Sequence, residues 1–280
     1  MQPRLQKKFR RYDWDRAAEY YQKYWQKQLK PAQDKILQMA NLRPGERVLD
    51  LACGTGLVTL QAAASVGRRG RTVGTDISEM MVQKAAHLAE QAGYTQASFL
   101  RMDAEKICFN DAAFDVAFCA LGLMYLADPL QALREMHRVL RPGGRAVAAV
   151  WGQRSKCGWA EVFPIVDARI KTDVSPLFFQ LGTGDGLALH FHMGGFEEIE
   201  STRIATRLFY PSAEAACAAV FQGGPVALAH ANLDEPARSQ VCKAYLESIE
   251  SFREGDGYRI PGEFVIVKGR KARQIRPASN

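Results

Sequence analysis

The ten residues Arg47-Val48-Leu49-Asp50-Leu51-Ala52-Cys53-Gly54-Thr55-Gly56 constrain this chain more than any other stretch. A short β-rich apolar run ends in an aspartate and then in residues with almost no side chain. An apolar-periodic segment over 57–66 follows at once. That order reads as strand, tight glycine loop and helix start. Gly54 and Gly56 let the backbone come closer to a ligand than larger residues allow. The N–H groups opening the next helix point into the turn. In an open α/β sheet such a turn lies at the carboxyl end of the first strand, where ligands bind. The stretch therefore predicts a nucleotide-type cofactor site.

The segments around it alternate. Strands are expected over 72–75, 97–102, 114–120 and 145–151, with helices after the glycine loop, over 79–92 behind the cap Ser78, and over 129–140. Alternation of this kind gives a parallel sheet with right-handed crossovers. Upstream, a helix over 13–29 is expected to stop at Pro31, and a second over 33–40 to lead through Pro44-Gly45 into the first strand. Residues 1–12 read as frayed and basic. Beyond Trp151 the regularity fades. An aromatic-rich and Pro-containing insertion covers 152–183, a helix 185–193 and a strand 196–206. Helical pieces fill 212–253, broken at Gly223-Gly224-Pro225 and near 234–236, and a β-rich run covers 263–268.

A dinucleotide fingerprint would need a third small residue where Thr59 stands. An acidic residue about 20 positions on is present as Asp76. Because that carboxylate serves ribose in more than one cofactor class, Asp76 alone leaves an NAD-type oxidoreductase open. The series decides: Asp50-Leu51-Ala52-Cys53-Gly54-Thr55-Gly56, Asp76-Ile77-Ser78, Met102-Asp103-Ala104, Phe114-Asp115-Val116 and Leu140-Arg141-Pro142-Gly143-Gly144. In this order it resembles the class I S-adenosylmethionine-dependent methyltransferases, in the small-molecule branch that includes the ubiquinone/menaquinone-biosynthesis enzymes. The resemblance covers about residues 45–151. It implies a Rossmann-like doubly wound α/β sheet, mostly parallel, with an antiparallel last strand and helical insertions. The organisation it suggests is a lid over 1–40, a cofactor-binding core over 41–151, and a third part over 152–280 that completes the sheet and carries the substrate cap.

The resemblance also distributes roles. Gly54, Thr55 and Gly56 would bracket the methionine end of S-adenosylmethionine, and Asp50 would orient its ammonium. Asp76 would accept the ribose hydroxyls. Ile77 would lie against one adenine face, Asp103 with the Ala104 N–H would read the adenine edge, and Met81 is a further cofactor contact. Ala120 would let backbone approach the methionine part. Ala52 stands where the family more often has Gly, and it is expected to fit only with a negative φ. Trp14, Ala18, Tyr21, Trp25 and Leu29 share one helical face, which either covers core or closes over the ligands; Tyr21 and Trp25 are its candidate cofactor contacts.

No residue is assigned as a general base. Tyr125, after the fourth strand, and His190 or His192 are the candidates for contact with the acceptor. His87 and His137 read as structural. The H-x-H pair does not make a metal site, since i,i+2 positions on a helix face apart. Trp159, Phe163, Phe178, Phe179, Phe191, Phe209, Tyr210 and Phe221 fit an apolar or aromatic acceptor, or simply the core of the cap. A non-catalytic cofactor-binding protein is the remaining alternative.

Charge narrows the partners. The net +7 sits at the ends: nine Lys/Arg against three acids in 1–30, and five with no acid in 268–280, so the intervening chain is net acidic. A nucleic-acid partner would want a basic stripe with aromatics on the fold itself. A small-molecule substrate is expected instead, with peripheral contact to an anionic membrane surface open to the basic ends. The chain has no run of 18 apolar residues and its N-terminus has no apolar signal core. Cys53, Cys108, Cys119, Cys157, Cys217 and Cys242 form no C-x-x-C pair and read as free thiols, hence a cytoplasmic setting.

Overall fold

In the structure, a computed structural model that describes residues 3–169 and 178–273, the alternation is realised as one eight-stranded sheet with helices on both faces. The elements in chain order are α1 (Pro3–Ala40), β1 (Arg47–Leu51), α2 (Leu57–Val66), β2 (Arg71–Asp76), α3 (Glu79–Gln91), β3 (Ala97–Arg101), β4 (Phe114–Ala120), α4 (Pro129–Val139) and β5 (Leu140–Trp151). There follow α5 (Val162–Asp167), α6 (Gly186–Met193), β6 (Glu197–Tyr210), α7 (Ala213–Phe221), α8 (Ala227–Ala231), α9 (Glu235–Ser248), β7 (Arg253–Glu254) and β8 (Gly257–Arg270). The strand order is β3-β2-β1-β4-β5-β8-β6, with β7 paired to β8.

Strands β1 to β5 pair in parallel. In β1 and β4, nearly every residue is buried on both faces, so these strands read as apolar runs rather than alternations. Strand order turns back between β1 and β4, and the crevice at their carboxyl ends is where an open α/β sheet takes its ligand.

β8 enters antiparallel between β5 and β6, as the resemblance implied. Both β6 and β8 are longer than expected. They pair antiparallel as far as Tyr210↔Tyr258, beyond the Trp151↔Phe264 end of the β5 pairing. Charged residues on β6, among them Glu200, Arg203 and Arg207, keep the edge polar. β5 likewise starts early, at Leu140, and takes up the Pro142-Gly143-Gly144 turn.

Pro31 does not end the first helix; α1 runs unbroken from Pro3 to Ala40, so neither the frayed start nor the two-helix division holds. A proline inside a helix costs about 3 kcal/mol. Trp25, Leu29, Ala32, Ile36 and Ala40 offset it, all nearly fully buried and spaced 4, 3, 4 and 4. Burying each large apolar side chain contributes roughly 1.5–3 kcal/mol. The face identified at Trp14 to Leu29 simply continues through the proline.

Cys217 on α7 and Cys242 on α9 are joined as a disulfide, with Cα atoms 6.1 Å apart. The six cysteines are therefore not all free, and cysteine usage no longer argues for a reducing compartment. The pairing joins positions 25 residues apart, which no local spacing announces. Cys53, Cys108, Cys119 and Cys157 are free. No helix among the described residues is long and apolar enough to cross a membrane. Part of the aromatic insertion, 170–177, and the end of the basic tail, 274–280, lie outside the described residues.

Candidate functional site

β1 ends in a bend built from left-handed backbone. Ala52 has φ 51°, Gly54 φ 54° and Gly56 φ 82°. The expectation that Ala52 keeps a negative φ is thus overturned. Leu121, at the end of the neighbouring β4, has φ 61°. Each such non-glycine residue costs on the order of 1–3 kcal/mol and persists only where its surroundings fix it. Here the two bends touch. A Cβ on Gly122 would lie 2.5 Å from the Ala52 Cβ, so the glycine lets the β4 bend seat against the β1 bend. Cys53 N donates to Thr75 O at 3.0 Å and Leu121 N to Ala149 O at 2.8 Å, pinning both.

Asp76 ends β2 facing that bend. Its Oδ2 accepts from Gly54 N and its Oδ1 from Ser78 N, both at 2.9 Å. Burial pushes its pKa upward, and the backbone N–H donors of Ser78 and Gly54 oppose the shift. Asp50 lies deeper. Its Oδ2 accepts from the Thr59 hydroxyl at 2.6 Å, while Oδ1 is buried with no hydrogen-bond partner. Burial pushes the Asp50 carboxyl up to about 7, and the nearby charge of Asp76 adds to this. Gly56 has a packing role: a Cβ there would meet Ala85 and Phe99 at 3.1 Å.

At the third strand tip, Asp103 Oδ1 accepts from Glu105 N at 2.9 Å. Glu105 in turn accepts from Ala127 N at 2.9 Å and Asp128 N at 3.2 Å, tying this loop to the one after β4.

α1 lies across these tips. Asp15 Oδ1 accepts from the Ser78 hydroxyl at 2.6 Å and from Met80 N at 3.2 Å, at the N-terminus of α3 where a carboxylate is favoured. Trp14 meets Tyr21 and Tyr125 edge-on, at 5.7 and 4.9 Å. Tyr21 lies over the bend, and a Cβ on Gly54 would be 3.8 Å from its ring. Burial raises the Tyr21 phenol well above its ordinary range, helped by Asp76 and Asp50. Farther along, Trp25 packs edge-on against Trp151 and Trp159, each at 6.1 Å, and its Nε1 donates to Ala219 O at 3.0 Å.

Together these groups enclose one cavity of about 1020 Å³, counted to its open mouth. Its charged lining residues are Asp76, Asp103 and Glu105, all on the tips of β2 and β3; among the described residues no Lys, Arg or His lines it. The opposite end is apolar: Trp25, Leu29, Trp151, Trp159 and the Gly223-Gly224-Pro225 turn between α7 and α8.

Of the residues expected from the sequence, Tyr21, Trp25, Ala52, Gly54, Asp76, Ile77, Met81, Asp103, Ala104, Ala120 and Tyr125 line this cavity. Asp50, Thr55 and Gly56 stand behind its wall. His190 and His192 do not line it either. They sit on α6, which packs on α4, β6 and β8; His190 Nδ1 is 2.8 Å from Gly186 O and His192 is exposed. Their helix buries Leu187 and Phe191 instead.

Of the eight aromatics assigned to acceptor or cap, Trp159 alone lines the cavity. Phe209 is exposed and the other six are buried in the core. Met102, Glu105, Leu121, Gly122, Met124, Leu126, Ala127, Trp151 and the 223–225 turn also contribute to the lining. The sequence signals that mark any of these are the Met102-Asp103-Ala104 motif and the break in helical pattern at 223–225.

Among the comparisons with known proteins, residues 24–160 match the ubiE/COQ5 methyltransferase family. The demethylmenaquinone methyltransferase of Bacillus subtilis strain 168 is 32% identical over 136 residues, 49% of this chain and 58% of that protein. The chain thus spans little more than half the length of the curated relatives it matches. Among solved structures, YcgJ of Bacillus subtilis superimposes with a TM-score of 0.60 at 18% identity, over 87% of this chain and 99% of that one. A Haemonchus contortus phosphoethanolamine N-methyltransferase, solved with phosphomonomethylethanolamine and S-adenosylhomocysteine, does so with a TM-score of 0.57 at 16% identity, over 87% and 53%. At such identities the structural likeness speaks for the fold. The chain has the class I methyltransferase fold, and its residues 24–160 are similar to the ubiE/COQ5 methyltransferase family.

Proposed function

We propose that this chain transfers a methyl group from S-adenosylmethionine to a small apolar or aromatic acceptor. The observation that carries the reading is that one cavity joins acidic strand tips to an aromatic end, with the left-handed bends of β1 and β4 between them.

The residues suit the cofactor. The Gly54 bend leaves backbone rather than side chain facing the cavity. Asp76 is held by two backbone donors and keeps carboxylate lone pairs for a sugar diol. Ile77 and Met81 offer apolar surface for adenine, and Asp103 and Ala104 polar groups for its edge. Asp50, whose Oδ1 lacks a partner, suits an ammonium close to the β1 bend. The cofactor supplies an electrophilic methyl group on a sulfonium.

What the chain adds is alignment and exclusion of water. Holding two reactants in line can supply roughly 7–11 kcal/mol, whereas a general base typically adds 10²–10⁴-fold in rate. A cavity lined by tyrosines and acids but, among the described residues, no histidine or lysine fits positioning as the dominant contribution. α1 serves as the lid and the segments after Trp151 as the substrate cap.

The acidic strand tips and the aromatic end of the one cavity suit a cofactor and an acceptor side by side. The aromatic end favours a flat, uncharged acceptor, in keeping with the name of the Bacillus subtilis relative, which specifies demethylmenaquinone.

Calorimetric titration with S-adenosylhomocysteine and with NADH tests the cofactor, and a screen of metabolite extracts with methyl-labelled cofactor tests the transfer. Binding of NADH alone would overturn the reading.

A further inference from the structure

The Cys217–Cys242 disulfide joins α7 to α9 close to the aromatic end of the cavity. α7 leads into the Gly223-Gly224-Pro225 turn that lines that end, and Gly223 follows Cys217 by about 9 Å of helical rise. The turn is built on α7, with Gly223 N donating to Ala218 O at 3.2 Å. α7 also steadies α1, since Ala219 O accepts from Trp25 Nε1 at 3.0 Å. A Cβ on Gly223 would lie 3.4 Å from Tyr20 O and from Trp25 Cδ1, so the turn and α1 are in close contact. α9 has anchors of its own. Arg169 donates to Gln240 Oε1 at 2.6 Å, and Arg238 donates to Ala231 O at 2.7 Å. The sulfur bridge thus fastens the helix that sets the turn to a helix held elsewhere.

The fold does not need this bond as a staple. Staples serve chains too small to bury a sufficient core. Here α7 and α9 already pack through the Phe221 and Tyr245 rings, 5.7 Å apart, and bury Val220 and Val241. Burial holds Cys53, Cys119 and Cys157 as thiols, pushing the latter two up to about 12, so they enter exchange poorly.

We propose that Cys217 and Cys242 form a redox switch on the cavity: joined, they hold the 223–225 turn against α1, and parted, they let α7 and the turn loosen. A small dithiol supplies the two electrons. One of its thiolates attacks Sγ of Cys242, the partly exposed partner, forming a mixed disulfide while Cys217 leaves as a thiolate and takes up a proton. The second thiol then closes on the first and releases Cys242 as a thiol, so the reductant departs as a cyclic disulfide. The effect on a bound ligand rests on the methyltransferase reading; the loosening of the turn does not.

Two readouts test it: amide hydrogen exchange over 213–227, and stopped-flow release of S-adenosylhomocysteine. Both are taken on the oxidised protein, after dithiothreitol, and after reoxidation with glutathione disulfide, with thermal unfolding as a check on folding. Reduction should speed exchange in that segment by about tenfold, within what closing such a loop supplies. It should speed release several-fold, and reoxidation should restore both. The double variant Cys217→Ser, Cys242→Ser should match the reduced protein and ignore dithiothreitol. Cys108→Ser, which removes the exposed free thiol, should respond as wild type does. Exchange or release that reduction leaves unchanged, or a dithiothreitol response that persists in the double variant, would overturn the switch. So would unfolding of the whole chain on reduction or in the double variant, since the bond would then be a staple. Failure of the oxidised wild type to bind S-adenosylhomocysteine would instead strike the proposed function, and the exchange readout alone would decide the switch.

Discussion

The backbone N–H of Gly54 donates to Oδ2 of Asp76 at 2.9 Å, tying the bend after β1 to the tip of β2. One carboxylate therefore shapes the bend and, in the proposed function, receives the ribose. Asp76→Ala should weaken S-adenosylhomocysteine binding by about 10–100-fold, given roughly 1.5–3 kcal/mol for hydrogen bonds to a charged group. It should also lower stability by about 1–3 kcal/mol, because the N–H groups of Gly54 and Ser78 lose their acceptor. Calorimetry and urea unfolding read the two effects separately. Unchanged affinity would place the sugar elsewhere.

Asp50 gives the protein a pH dependence of defined sign. Burial raises its folded carboxyl to about 7, from 3.8 in the open chain, so between those values the native state binds a proton that the unfolded state has released. Stability without ligand should therefore fall as pH rises through that window, by at most about 4 kcal/mol. Asp50→Asn removes the titration. Its urea midpoint should exceed that of wild type at pH 8 and approach it near pH 5. A wild-type midpoint that climbs from pH 5 to pH 8, with Asp50→Asn flat, would contradict the assignment.

Asp15 fastens α1 to the start of α3 through the Ser78 hydroxyl and the Met80 N–H. The aromatic residues on α1 wall the cavity, so in the proposed function loosening this end of the helix eases ligand exchange. Asp15→Ala should accelerate S-adenosylhomocysteine release several-fold, since the charge-assisted hydrogen bonds it removes are worth roughly 1–2 kcal/mol. Stopped-flow displacement followed by tryptophan fluorescence provides the rate. An unaltered release rate would mean that α1 does not gate the cavity.

The disulfide between α7 and α9 predicts a thiol count. Ellman titration of the unreduced, denatured chain should detect Cys53, Cys108, Cys119 and Cys157, and all six cysteines after reduction. Closing a 25-residue loop stabilises a fold by about 3 kcal/mol in the chain-entropy account. Replacing both Cys217 and Cys242 by Ser should therefore lower the unfolding midpoint measurably. Six reactive thiols before reduction would refute the bond.

The β1 bend, Asp76, Asp103 and the alternating core are legible from the amino-acid order alone. Strand, glycine turn and helix start follow from residues within a few positions of one another, and strand tips fall where the runs end. The same locality explains the misses. Pro31 by its own preference ends a helix, but burial of Leu29, Ala32 and Ile36 against the sheet decides the outcome. Ala52 takes a left-handed φ because the β4 bend, with Leu121 and Gly122, seats against it across the sheet. His190 and His192 carry chemistry by type, yet α6 lies away from the cavity.

The order of residues determined the sheet and the polar half of the cavity. Folding decided how the aromatic half comes together, where Trp25 of α1, Trp151 of β5 and Trp159 of the turn before α5 meet. A bend is set by the backbone preferences of adjacent residues. A cavity wall is set by which distant side chains converge when their elements pack.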